Sequence, residues 1–99
     1  KVTQLSDDSK YDYRIGQIYL QNSDWDNSIK FLNIARNKGW SSKPGTLEML
    51  IGICYIELDD FDNARVELAK AFNFGKEDEV EPWINYMDST ENLRRAVEG

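Results

Sequence analysis

Apolar residues recur along this 99-residue chain at the three- and four-residue spacing of amphipathic helices. The set that begins at Tyr11 is narrow, whereas the segment 47–58 has a wider apolar surface, typical of burial on more than one side. Asp24 and Asp60 each precede a further amphipathic segment, at the position where an N-cap residue belongs. The pattern therefore predicts four helices in two helix–turn–helix units.

The second unit repeats the first after 36 residues. The clearest matching stretches are 24–28 and 60–64, since both read Asp-aromatic-Asp-Asn-small. Gly16 and Gly52 also align, although glycine in mid-helix costs about 1 kcal/mol relative to alanine. We interpret their recurrence as a requirement for close approach of the partner helix.

Turn residues divide the helices from one another. Gly39 and Gly75 follow the last periodic residues, at the place of a left-handed C-cap. Pro44 is expected in the first turn of the third helix, where its missing N–H costs nothing. The spacing after Lys76 predicts one long helix from about Glu79 to Glu98, with Pro82 in its first turn.

The Gly-x-x-Tyr of each first helix and the Asp-aromatic-Asp-Asn-small of each second helix resemble the tetratricopeptide repeat (TPR). The likeness covers residues 9–78, although Asp12 and Glu48 replace the opening aromatic and the closing Pro is absent. It implies an all-α, right-handed helical-repeat solenoid of two helix-turn-helix TPR units plus a C-terminal capping helix. Residues 1–99 would form one domain, with repeats at 9–42 and 45–78 and the cap at 79–98. We expect it to be the C-terminal fragment of a longer repeat protein.

The same resemblance implies a function on the concave surface that the first helix of each unit lines. An apolar centre with a polar surround suits an extended or helical peptide. As an alternative, some of these residues pack on an upstream helix or on a second copy of the chain. The expected peptide-binding residues are Tyr13, Arg14, Gln17, Gln21, Met49, Leu50, Ile53, Ile56 and Asn85.

Composition argues against catalysis and against several ligand classes. The chain has no His, and Cys54 lies on an apolar helix face without a visible base, so we predict no enzyme activity. The acidic runs 59–62 and 77–81 lack the pattern of a calcium loop, and we expect no metal and no cofactor. A net charge of −6 opposes nucleic-acid binding. No apolar run approaches the roughly 20 residues of a membrane span, so no direct membrane insertion is expected.

The expected partner is therefore a protein or peptide ligand. The segments 43–45, 50–52 and 81–83 are similar to the C-terminal end of TPR proteins that accompany TonB systems. That likeness implies a bacterial periplasm or cell envelope and envelope transport partners, with the cytoplasm as the alternative. Two other functions stay open, a homo-oligomer formed through exposed apolar ends and a regulatory appendage of a larger enzyme.

Overall fold

A computed structural model describes residues 9–40 and 44–98, and every regular element in these ranges is an α-helix. The all-α prediction is thereby confirmed for the described residues. They form an elongated body of 54 × 27 × 18 Å. The helices are α1 (Ser9–Gln21), α2 (Trp25–Asn37), α3 (Thr46–Glu57), α4 (Phe61–Asn73) and α5 (Glu77–Glu98).

The N-caps confirm the predicted repeat at the level of single bonds. Asp24 begins α2 with φ −93° and ψ 79°, and Asp60 begins α4 with φ −93° and ψ 75°. The Asp24 carboxylate accepts the Asn27 backbone N–H at 3.4 Å, and the Asp60 carboxylate accepts that of Asn63 at 3.3 Å. Helices α2 and α4 therefore start in the same way, 36 residues apart.

Each cap aspartate also closes the helix that precedes it. The Asp24 N–H donates to the Tyr19 carbonyl at 2.9 Å, and the Asp60 N–H donates to the Tyr55 carbonyl at the same distance. The residue just before each aspartate has a left-handed backbone, although Ser23 and Asp59 both carry side chains. One short corner thus ends one helix and starts the next.

The predicted glycine C-caps are confirmed. Gly39 follows α2 with φ +89°, and Gly75 follows α4 with φ +94°. The next N–H then reaches back in the Schellman pattern, with Trp40 donating to the Ala35 carbonyl at 3.0 Å and Lys76 donating to Ala71 at 3.1 Å. The same type of glycine turn therefore ends the second helix of each pair.

Close helix approach explains the mid-helix glycines, as predicted. A Cβ atom at Gly16 would lie 2.8 Å from the Leu32 side chain, and one at Gly52 would lie 2.8 Å from Leu68. The buried Ser28 hydroxyl also donates to the Gly16 carbonyl at 2.7 Å. Helices α1 and α2, and likewise α3 and α4, can pack this tightly only because these positions lack a side chain.

Two apolar clusters lie between successive pairs. Leu32 and Ala35 of α2 pack with Leu47 and Ile51 of α3, all of them buried. The second cluster forms the same kind of junction between α4 and α5, and Ile56 of α3 joins it. The members from α4 and α5 are Ala64, Leu68, Ala71, Val80 and Met87. Helix α5 therefore packs on α4 much as α3 packs on α2. This packing is consistent with a helical repeat.

Three boundary predictions need correction. Helix α5 begins at Glu77, so Pro82 lies in its second turn rather than its first. Pro44 precedes the N-cap Gly45 and is not helical. Gly45 has φ +87°, and a Cβ atom placed on it would lie 3.0 Å from the Cβ of Phe74. The chain turns at Gly45, and α3 begins at Thr46. The end of the predicted first repeat, 41–42, lies outside the described residues.

Candidate protein-binding surface

Two of the four predicted binding residues of α1, Tyr13 and Gln17, are held in place by neighbouring groups. Tyr13 is partly buried, and its ring stacks on Trp40 at a centroid distance of 5.0 Å and an interplanar angle of 23°. The Gln17 amide donates to the Tyr13 hydroxyl at 3.1 Å. Arg14 and Gln21 are exposed. Helix α1 thus offers a fixed aromatic ring with a polar edge and exposed polar residues near it.

On α3 the predicted residues separate into surface and core. Leu50 and Met49 are partly buried, and they pack on different core clusters, Leu50 on the first and Met49 on the second. Ile53 is only 8% exposed and Ile56 only 1%. Both side chains are buried, and Ile56 packs in the cluster beneath α4 and α5, so the assignment of Ile53 and Ile56 to an accessible groove is corrected. The wide apolar surface of α3 is explained by neighbours on several sides. For this reason the sequence alone does not distinguish the core positions of α3 from its surface positions.

Two aromatic residues of α5 were missed by the sequence prediction. Trp83 packs on the second cluster and meets Tyr86 edge-on, with ring centroids 5.9 Å apart. The Tyr86 hydroxyl lies 3.4 Å from a carboxylate oxygen of Glu57 on α3 and donates to it. These contacts place both rings on the side of α5 that faces α3. The predicted Asn85 is exposed.

The link between α4 and α5 is much shorter than the link between α2 and α3. In the buried clusters, Val80 lies 33 residues after Leu47, whereas Met87 lies 36 residues after Ile51. The 36-residue repeat therefore does not extend through α5 as a single register, and counting by 36 does not identify Trp83 and Tyr86.

We call Tyr13, Leu50, Trp83 and Tyr86 the aromatic band. Its members come from α1 and α3, the first helices of the two pairs, and from α5, the helix that follows the second pair. Tyr86 is 45% exposed, and the other three are partly buried. The band therefore combines apolar surface with hydroxyl and indole groups that can form hydrogen bonds.

A network of charges ties α3, which carries Leu50 of the band, to α2 and α4. The Arg36 guanidinium of α2 donates to Glu67 of α4 at 2.8 Å and lies 3.5 Å from Glu48 of α3. It also donates to the Asn33 side chain at 2.6 Å. The Glu67 hydrogen bond raises the pKa of Arg36 above its usual range, so the guanidinium stays charged. Three helices are tied at the Arg36 guanidinium, and its partner Glu67 is only 7% exposed.

Metal-binding and membrane-spanning features are not found in the described part of the chain. No cluster of three or more His, Cys, Asp or Glu side chains there has the arrangement that could hold a metal ion. None of the described helices has the length and apolarity that a membrane crossing requires.

Cys54 is fully buried, and burial raises the pKa of its thiol, with the Ser28 hydroxyl partly opposing this effect. We expect Ellman's reagent to label the thiol in native protein far more slowly than in urea, because the reactive thiolate is both rare and covered. A raised pKa in the folded state also predicts that stability falls as the pH rises above about 8.5, where the unfolded thiol ionises first. A Cys54→Ala variant should lose this alkaline dependence. Equal labelling rates in buffer and in urea would contradict the burial of the thiol.

Comparison with known proteins found no relative of this chain. No family model, no curated protein and no solved structure matches the chain.

Proposed function

We propose that this protein is a non-catalytic protein–protein interaction module that binds a peptide or protein segment on the side of α1, α3 and α5. The proposal includes a TPR-type, right-handed arrangement of the two repeats with α5 as the capping helix. The periodic caps and the repeated glycine contacts support this form of the fold. The band then lies on the concave side of the array.

The observation that carries the proposal is the aromatic band. Tyr and Trp are the residues that most often dominate protein interfaces, since they bury a large rigid area and retain a polar group. Here Tyr13 is already held by Trp40 and Gln17, and Tyr86 by Glu57. Side chains that are fixed before binding lose little conformational entropy when a ligand covers them.

The surroundings of the band indicate the chemistry of the ligand. Exposed Glu57, Glu81 and Asp88 lie on α3 and α5, whereas Arg14 lies on α1. A segment with apolar anchor residues and a basic end directed towards α5 would match both the rings and the charges. Envelope transport components of a TonB-type system, in the periplasm, are the narrower form of this proposal. Only the similarity of segments 43–45, 50–52 and 81–83 supports that form.

A peptide-display selection against the folded chain tests the proposal. We expect selected peptides to carry aromatic or aliphatic anchors, and we expect their addition to shift the backbone NMR signals of Tyr13, Leu50 and Trp83. A Tyr86→Asp variant should bind them at least tenfold more weakly, because it removes the most exposed residue of the band. Val66→Asp is the matched control, since Val66 is an exposed apolar residue of α4 outside the band.

Two results would contradict the proposal. Selected peptides that shift only residues of α2 and α4 would place the binding surface elsewhere. Equal loss of binding in the Tyr86 and Val66 variants, with both folded by circular dichroism, would show that the effect does not come from the band. A partner captured by the full-length protein can then be tested with the same pair of variants.

A further inference from the structure

An apolar groove of about 320 Å³ lies between α4 and α5, apart from the aromatic band. Its walls include Ala69 and Phe72 of α4 and Ile84 and Met87 of α5. Phe72 is 41% exposed, so a large apolar side chain faces solvent at this end of the molecule. Arg65 and Asp88 stand at the rim.

The repeat shows what kind of element fits such a groove. One repeat earlier, the corresponding junction is formed by α2 and α3, and helix α4 covers it. Leu68 of α4 enters the space at Gly52 of α3, and Glu67 of α4 binds Arg36 of α2. Helix α5 has no helix in the corresponding place among the described residues. The groove between α4 and α5 is therefore shaped for a helix with an apolar face.

The other end of the molecule presents such a face. Tyr11 and Ile18 of α1 are 48% and 55% exposed. Their repeat equivalents on α3, Leu47 and Cys54, are 4% and 0% exposed because neighbouring helices cover them. Partly buried Ile15 lies between Tyr11 and Ile18 on the same face of α1. Helix α1 thus exposes an apolar stripe at the positions that neighbouring helices cover on α3.

The charges of the two ends are opposite. Residues 9–40 carry five basic and three acidic side chains, whereas residues 44–98 carry five basic and thirteen acidic ones. On α1, Lys10 and Arg14 flank the apolar stripe, whereas at the groove Asp88 and Arg65 pair at 3.7 Å and balance each other. The long-range attraction therefore comes from the basic excess of residues 9–40 and the acidic excess of residues 44–98, and a copy facing in the opposite order would be repelled.

We propose that the chain associates head to tail, with α1 of one copy seated in the groove between α4 and α5 of the next. The contact is heterologous, because the two surfaces differ, so every copy keeps one unused end and chains of copies can grow. The proposed surfaces include none of the four residues of the aromatic band, although Arg14 and Asp88 border both. Failure of one proposal therefore leaves the other standing.

Sedimentation of the whole chain over a wide concentration range tests this inference. We expect the average mass to rise above the monomer value of 11.5 kDa with concentration, and to rise less at high salt. Ile18→Glu and Phe72→Glu should each remain monomeric. Val66→Glu is the matched control and should associate like the wild type, since Val66 does not line the groove.

Mixing the two single variants separates this arrangement from a symmetric one. Ile18→Glu keeps an intact groove and Phe72→Glu keeps an intact α1, so their equimolar mixture should form a pair and stop there. Ala69→Glu, on the same wall, replaces Phe72→Glu if circular dichroism shows that variant to be unfolded. A wild type that stays at 11.5 kDa at millimolar concentration would overturn the inference. A mixture that remains monomeric would overturn it as well.

Discussion

Replacing Gly52 by leucine is expected to cost about 3 kcal/mol or more of unfolding free energy, a large part of the stability of a small domain. A Cβ at this position would already lie 2.8 Å from Leu68 Cδ2 and 2.9 Å from Leu68 Cγ. Leu68 is itself enclosed by Ala64, Ala71 and Val80, so it has little room to move. Urea unfolding followed by circular dichroism measures the loss.

Two further variants make this prediction specific. Ala96→Leu places the same side chain on an exposed position of α5 and should change stability by less than about 0.5 kcal/mol. Leu68→Ala in the Gly52→Leu background should recover part of the loss, because it opens the space that the new side chain needs. A stable Gly52→Leu single variant would mean that α3 and α4 are farther apart than described.

Replacing Arg36 by methionine should destabilise the protein by about 3 kcal/mol. The Glu67 carboxylate would then remain buried without the guanidinium that now donates to it at 2.8 Å, and only Lys70, at 3.8 Å, would stay near it. Glu48, 3.5 Å from the same guanidinium, would lose its partner too. Because Arg36 joins α2 to α3 and α4, the effect should appear in the unfolding of both repeats together.

A double-mutant cycle separates the charge effect from packing. Arg36→Met with Glu67→Met removes the partly exposed guanidinium together with the buried carboxylate and should be markedly more stable than Arg36→Met alone. Arg95→Met is the control for an exposed ion pair, since Arg95 contacts Glu91 on the surface of α5, and it should cost less than about 1 kcal/mol. Additive effects of the Arg36 and Glu67 substitutions would contradict the coupling.

Local signals made much of the fold predictable from the sequence. The aspartate caps, the glycine ends and the mid-helix glycines each act within one turn or one helix pair, and the structure has them where the sequence places them. The cap at Asp60, for example, needs only the N–H of Asn63. Features of this kind depend on neighbours in the chain and can be recognised without a tertiary structure.

The α5 portion of the candidate surface was less predictable because it depends on how elements are joined. The link from α4 to α5 is shorter than the one from α2 to α3, and Trp83 and Tyr86 lie on the side of α5 that faces α3, where the sequence prediction placed Asn85. The burial of Ile56 likewise reflects the packing of α4 and α5 on α3. Neither effect leaves a mark in the periodicity of one helix.

The corners at Asp24 and Asp60 have a consequence for how the chain folds. In each corner the aspartate N–H binds the carbonyl five residues before it, and its carboxylate binds the N–H three residues after it. Both bonds close very small loops, which form on the time scale of nanoseconds to microseconds. Either helix pair can therefore nucleate around its own corner, and the other pair can add to it, so folding should be fast and should start at either repeat.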